Sequence, residues 1–503
     1  MTMTHHRNWR RWVVVGGAAA VGLFAGCQTA PPTAPIQHTS AVRLADRPAP
    51  VSVAPAAATV SSPQPAAEYP IDLGLALRLA GIENPTVNLA RERVNEALAG
   101  QLAARALLLP SVNVGGNFYL HRGVYQNASG QILDVNRQSL YLGAGSRVTG
   151  AGAAAVPGAW LFAHLGDAAY APLAARQEVS ARRSDAQGVQ NAVLRDVAVA
   201  YLQLVGTEAR LEVLRQAEID VGEVVRVTRS FAEKGQGQQS DADRATANAE
   251  LLRRQVREAE EERAVASARL CRLLSLDPSV RLLTPARAIE PVRLLPEDAD
   301  AEALSTEAAQ RRPEVHAQAA EVQQARTRVR QERMRPWLPV VSVGYSSGVF
   351  GGWGGASTTD PSSLNGRSSL DVGAFWTFEN LGVGNRARVR RTSAELAQET
   401  AGYQAVVNQV RSEVVEALAD ARAAARQIEL ARSAVTASQE GYSLEKLRIA
   451  QIQGRGRPIE TLDSLRQLID SRQELVRTVT AYNVAQFRLF AAVGNDASTS
   501  VVP

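Results

Sequence analysis

Lysine is almost missing from this chain: Lys234 and Lys446 are the only two, so nearly all of its positive charge is arginine. The arginines alternate with acids along helical stretches such as RERVNE and RRQVREAEEER, the pattern of solvated helix faces with local ion pairs. No basic block or aromatic-basic module is present, which argues against a nucleic-acid partner. Cysteine is equally sparse. Beyond Cys27 only Cys271 remains, so the body holds no internal disulfide, and its setting in ARLCRLLSL predicts a buried structural thiol. Methionine is nearly absent too. Met334 is the only one past the first few residues and gives no sign of copper or silver handling. There is no HExxH, no paired CxxC, no GxxxxGK and no GxSxG. The histidines are scattered, and His38, His121, His164 and His316 each lack a second ligand at metal spacing. The glycine runs GAGSRVTGAG and FGGWGGAS lack the strand-then-helix setting of a nucleotide site. An enzyme is not expected, nor a cofactor or a metal.

The start reads as a targeting segment rather than fold. His5, His6, Arg7, Arg10 and Arg11 precede an apolar stretch from Trp12 to Phe24 that is too short to span a bilayer comfortably. It ends in LFAGC. Ala25 and Gly26 before Cys27 fit a bacterial lipoprotein cleavage site, with residues 1–26 removed and Cys27 lipidated. Phe24 stands where that pattern usually has Leu, and an ordinary signal peptide with an incidental Cys is the alternative. Residues 27–67 are rich in Pro, Ala, Thr and Ser without apolar period and read as a tether.

The body is duplicated. IENPTVNLARERVNEALAGQLAARALLLPSVNVGGNF and QRRPEVHAQAAEVQQARTRVRQERMRPWLPVVSVGYS share an order: a proline opening a helix, a Leu-Pro stop, then alternation. The first repeat is expected over 68–276, with strands at 111–121 and 138–165, the latter blurred enough to hold one or two strands. The second is expected over 302–494, with strands at 340–350 and 368–378. A connector spans 277–301 and a tail 495–503. Each pair of strands leads into a very long helix, about 167–233 and about 385–453. Their seams recur at three- and four-residue steps: Val197, Leu204, Leu211, Leu214 in one, Val410, Val414, Ala421, Ile428 in the other. Glycine turns at 234–240 (Gly235, Gly237) and 453–459 (Gly454, Gly456, Pro458) send return helices back.

Four strands cannot close a barrel of useful bore. Yet most of the aromatics beyond the targeting segment sit in the strand regions, among them Phe118, Tyr119, Trp160, Tyr345, Trp376 and Phe378. Alternating strands with aromatics near their ends have the pattern of an outer-membrane barrel. An open sheet edge is not tolerated in lipid, so in a membrane several chains would pool their strands. A small soluble sandwich capped by helices is the alternative.

The duplicated order of proline, helix, Leu-Pro, strands, long helix, glycine turn and return helix resembles the TolC-like outer-membrane efflux family over about 69–494. The resemblance implies a mainly α fold with a β-barrel part. Three chains would form a homotrimer with a twelve-stranded barrel in outer-membrane lipid and an α-helical coiled-coil tunnel in the periplasm. It implies an exit duct for a tripartite efflux pump, working with a periplasmic adaptor protein and an inner-membrane pump. Type I protein secretion and a non-conducting lipid-anchored coiled-coil scaffold are the alternatives. Gln28 is not the Asp that commonly retains lipoproteins in the inner membrane, so outer-membrane sorting is implied. The two glycine turns resemble the family's periplasmic tips, where the tunnel closes and the adaptor is met. Glu460 and Asp463 fall where the family carries the acids of its periplasmic aperture; Asp241 and Asp243, two apart, share a face less well. Both tips are more polar than the Val-Gly-Leu or Val-Gly-Thr common in the family.

Overall fold

Proline and asparagine set where the helices begin. A short strand β1 (Glu68–Pro70) leads to α1 (Leu73–Glu83), whose cap Asp72 accepts from Leu75 N. Asn84 caps α2 (Pro85–Arg105) by accepting from Thr86 N, and Pro85 occupies the first turn, where its missing N–H costs nothing. Pro313 repeats the proline at the start of α6 below, where Arg312 stands at the cap position without a side-chain cap bond. The structure is a computed structural model describing residues 68–146, 156–285, 289–296, 298–354, 365–451 and 458–495, all within the unit Pro65–Pro503. Cys27, the tether and the tail from 496 lie outside the described residues, as do Gly454 and Gly456 of the second tip.

After α2 come β2 (Ser111–Val112), β3 (Val114–Gln126), β4 (Ile132–Ser146), β5 (Val156–Pro157) and β6 (Ala159–His164). The chain then enters α3 (Leu165–Glu233) and returns through α4 (Gln239–Leu274). A connector with β7 (Arg281–Leu283) leads to α5 (Ala301–Arg311), α6 (Pro313–Met334), β8 (Val340–Gly354), β9 (Asn365–Phe375), α7 (Val383–Gln451) and α8 (Pro458–Ala492). At 1.5 Å per residue the 69-residue α3 and α7 are each roughly 100 Å long.

Strand ends depart from the sequence expectation for local reasons. β3 runs on to Gln126 and β4 starts at Ile132, because the turn between them is held by Asn127: its Oδ1 accepts from Ser129 N (3.0 Å) and Gln131 N (2.9 Å). Polar Arg122, Gln126, Asp134 and Asn136 hid these ends in the sequence. β9 stops at Phe375, short of Trp376 and Phe378. Its last partner is Val340, the first residue of β8, and the residue just before Val340 is Pro339, which brings no N–H to the ladder. The blurred region resolves into three segments, β4, β5 and β6.

All pairings in the seven-stranded sheet are antiparallel. β3 pairs β4, β4 pairs the upper half of β8, β6 pairs its lower half, β2 pairs β6, and β9 pairs the other side of β8. The segments therefore trace four paths: β2 with β3, β4 with β6, β8, and β9. Each path runs into a helix: α2 before β2, α3 after β6, α6 before β8, α7 after β9. Below the sheet the helices lie in the order α2, α3, α6, α7. Further down the return helices replace the short ones, and the order becomes α4, α3, α8, α7.

The seams are lined by small and aliphatic residues. Val197, Ala200, Leu204, Leu211, Leu214 and Val221 of α3 are buried, as are Val410, Val414, Ala421, Ala424 and Ile428 of α7. Gly206 lets α3 press against Thr480 of α8; a Cβ there would clash with that side chain. Where the helix order changes, the connector closes the gap. β7 pairs parallel with β1, and Ser267 Oγ of α4 accepts from Leu282 N at 2.9 Å. Asn483 and Gln486, fully buried on α8, hold the next stretch. Asn483 accepts from Val292 N and donates to Glu290 O, both 2.8 Å, and Gln486 accepts from Leu294 N and Leu295 N. Asn483 is thus satisfied by connector backbone at both ends of its amide, and Gln486 by connector N–H groups at its oxygen and by the Tyr482 hydroxyl, to which its nitrogen donates at 3.3 Å. Glu208 of α3 accepts from Thr284 N and Thr284 Oγ1, and burial pushes its carboxyl up despite those bonds. Cys271 is buried against Val280 O.

Candidate functional site: a two-faced sheet and the helix tips

The register decides what the sheet presents. Because side chains alternate, directly paired residues share a face. Phe118 pairs with Leu140, Leu142 with Val349, Val343 with Val372 and Tyr345 with Leu370. Val114, Leu120 and Val124 of β3 join the same face. Toward the helices this face is largely apolar across all four paths, with Arg122, Asp134, Asn136 and Gln138 at its far end, and it is bare: Val114, Val124 and Val372 are 70–78% exposed. The other face carries Tyr119, His121 and Tyr125 of β3, Ser139 of β4, Ser346 of β8 and Arg367, Ser369 and Asp371 of β9. The His121 ring stacks on Tyr119 (centroids 6.4 Å apart) and meets Tyr125 edge-on at 6.5 Å. A monomeric soluble protein rarely leaves a continuous apolar face this wide to water. A lipid-facing side opposed to a polar interior has this form. No described helix is long and apolar enough to cross a membrane.

Glycine holds the middle of the sheet together. Gly143 of β4 pairs with Gly348 of β8, and a Cβ on Gly143 would stand 2.5 Å from Gly348 Cα. The Tyr141 ring lies over Gly348; a Cβ there would stand 2.8 Å from Tyr141 Oη. Tyr141 is almost wholly buried and its hydroxyl donates to Ala144 O at 3.0 Å. Where strands become helices, a cavity of roughly 420 Å³ is lined by Phe162, Val340, Phe375, His164, Asp167 and Arg335 among others. Arg335 pairs there with Asp167 and with Glu332 (3.0 Å).

Residues 304–495, from α5 through α8, match the family model for outer membrane efflux proteins. Over those residues the chain is similar to outer membrane efflux proteins, and its fold is TolC-like. Solved structures of that architecture superpose on it. The outer-membrane channel OprN aligns with a TM-score of 0.69 and 18% identity, covering 85% of this chain and 90% of its own. The Campylobacter jejuni CmeC outer membrane channel aligns at 0.67 and 16%, covering 84% and 85%. The Neisseria gonorrhoeae MtrE outer membrane channel aligns at 0.63 and 17%, covering 84% and 89%. No curated protein matches the sequence.

The first tip is built on Gly235 and Gly237. Gly235 has φ +69°, and the amides of Gln236 and Gly237 both donate to Phe231 O (2.9 and 3.1 Å), satisfying the helix end. Asp243 of the return helix accepts from Gln239 Nε2 at 3.1 Å. At the second tip α7 ends at Gln451 and Pro458 opens α8. Glu460 and Asp463 are both exposed in the first turns of α8, three residues apart, while Thr461 and Leu462 between them are buried. The pair is therefore brought to one outward side of the helix. One contact was not foreseen from sequence. Arg448, near the end of α7, lies 3.5 Å from Glu460 and 3.5 Å from Glu445, so part of the Glu460 charge is met across the hairpin.

Proposed function

We propose that this chain is the outer-membrane exit duct of a tripartite efflux pump, assembled as a homotrimer with a twelve-stranded barrel. The observation that supports it best is the sheet with one bare apolar face, one polar face and two free edges. Among the described residues β3 and β9 each pair on one side only. The helical layer ends the same way, on α2 and α4 at one side and on α7 at the other, and both ends carry exposed aliphatics: Leu98, Leu102 and Leu251 against Val415, Leu430 and Leu444. Unlike edges that complement one another generate a closed ring by head-to-tail contact. In lipid the ring must close, because unpaired strand edges are too costly there. The polar face then lines the pore and the helices continue it into the periplasm. Acylation at Cys27 adds an anchor to this reading, and the tips 234–240 and 453–459 are the contact for a periplasmic adaptor joined to an inner-membrane pump.

At the aperture, copies of Glu460 and Asp463 gathered about one axis favour cations. Exchanging both for Ala is expected to lower the cation preference of the purified channel or to leave its closed state leakier, read as reversal potential and resting conductance in planar bilayers. Unchanged selectivity and leak would remove these residues from the aperture. The duct reading itself is tested by whether the wild-type protein conducts at all.

A further inference from the structure

Between β9 and α7 the chain makes a turn that an ordinary sequence would avoid. Asn380, Leu381 and Gly382 are all left-handed, with φ of +49°, +57° and +88°. Glycine and asparagine accept this region, whereas leucine is strained in it. The turn is held from both sides. Glu379 N donates to Asn385 Oδ1 at 3.0 Å, and Arg388 grips the Glu379 carboxylate with two bonds of 2.9 and 2.7 Å. The result is that Leu381 is 100% exposed, touching nothing. Its surroundings are exposed and apolar as well. Trp376 and Phe378 precede it, Val383 follows, and Trp376 Nε1 donates to Trp337 O at 3.2 Å, placing a second exposed tryptophan alongside. This patch lies just beyond Leu370 and Val372 of the apolar sheet face and continues it toward the helices.

One turn further the chemistry changes sign. Arg386 and Arg390 are exposed on α7, three residues after Val383 and then four more, so they follow it along one side of the helix. Arg333 stands exposed on α6 four residues before Trp337. Among the described residues none of these three has an ion pair, and the nearby acids are already engaged: Glu379 by Arg388, Glu395 by Arg391, Glu332 and Asp167 by Arg335. No acid lies in the first turn of α7. Cations near that end work against the helix dipole, so the helix gains nothing from them.

We propose that this junction is a seat for anionic phospholipid of the leaflet facing the helices: Leu381 and its aromatic neighbours enter the acyl chains, and Arg386, Arg390 and Arg333 hold the phosphates. Order along the chain matches order across a half-membrane, from chains to interface aromatics to headgroup charge. Guanidinium suits phosphate because its planar fork bonds two oxygens at once. The seat fixes the depth at which the sheet rides in the membrane. It rests on the duct reading, since the sheet's apolar face must itself be in lipid.

The test uses the full chain reconstituted in vesicles of phosphatidylcholine and phosphatidylglycerol. An NBD label is placed at Val383→Cys, which leaves Leu381 intact, or at Leu370→Cys on the sheet as a reference, with labelled wild type as the blank. Brominated acyl chains are expected to quench both labels comparably, and iodide neither. Leu381→Gly relieves the turn while removing the side chain, and is expected to lower lipid quenching at 383 without affecting 370. Brominated phosphatidylglycerol should quench 383 more than brominated phosphatidylcholine does, and Arg386→Gln with Arg390→Gln should abolish that preference. Lipid quenching at 370 with iodide quenching, or no quenching at all, at 383 would overturn the seat alone; the latter means that a neighbouring copy covers it. Loss of lipid quenching at both positions would overturn the seat together with the duct. An unchanged phosphatidylglycerol preference in the arginine variant would overturn the headgroup contact.

Discussion

Gly348→Val is expected to prevent the sheet from forming. A side chain at 348 would meet Leu142 O, which belongs to the ladder, and the Tyr141 ring, which is buried and hydrogen-bonded to Ala144 O. Neither can yield. The partner across the ladder is Gly143, itself pressed to Gly348 Cα, so the two strands approach along a pair of residues without side chains. Overpacking of an adaptable core costs about 1–3 kcal/mol. Here the obstacle is backbone, and about 3 kcal/mol or more is expected. Chemical denaturation of the reconstituted protein measures it, and the variant should yield little heat-modifiable, detergent-stable assembly. Gly366→Ala is the control. It lies in the same sheet with open space where its Cβ would go, and it should assemble normally.

The second large effect is expected from Arg312→Ala. Arg312 stands at the start of α6 and its guanidinium is nearly buried, pairing with Glu314 at 3.2 Å and with Glu413 on α7. It ties the short helices of the second repeat to its long one. Removing it leaves Glu413 facing a cavity of about 360 Å³ that also holds Glu416 and Asp420. Loss of one partner of a buried pair costs about 3–5 kcal/mol; with both carboxylates partly open to solvent, about 2 kcal/mol is expected. The effect depends on pH. Burial pushes the Glu413 carboxyl up, but the bonds from Arg312 and Gln409 outweigh it, and the group sits below its usual range. A lowered carboxylate pKa contributes stability above its unfolded value and loses it as pH falls through the folded one. The gap between wild type and variant should therefore be full at neutral pH and close in acid, below about pH 4. A gap that stays constant down to acid pH would show that the loss comes from packing instead.

The long helices and their seams were legible because their signals repeat. Val197, Leu204 and Leu211, or Val410, Val414 and Ala421, mark one side of a helix many turns long, and paired prolines mark both starts. The strands were legible where apolar and polar residues alternate, and blurred where glycine and serine replace the apolar partner. The break between β4 and β6 is such a place: Gly158 lies where any Cβ would collide with Ala144 backbone, a demand that spacing along the chain does not express. Tertiary roles were hidden for another reason. Asn483 and Gln486 read as ordinary polar helix residues, and only the connector laid across α8 makes them buried clamps. At the tip, the acids of α8 were visible as a pair, whereas Arg448 belongs to the opposite arm of the hairpin and meets Glu460 only after the chain has turned back. Leu381 gave no sequence signal at all, since a leucine in NLG announces neither its left-handed backbone nor its exposure.

If copies of this chain close their free sheet edges in lipid, they form a conducting pore. Single-channel recording of the purified wild-type protein in planar bilayers tests it most directly. Discrete conductance steps are expected from a detergent-stable trimer, carried by the polar face of the sheet. A Cys27→Ser variant that stays water-soluble without detergent, and never conducts, would contradict it.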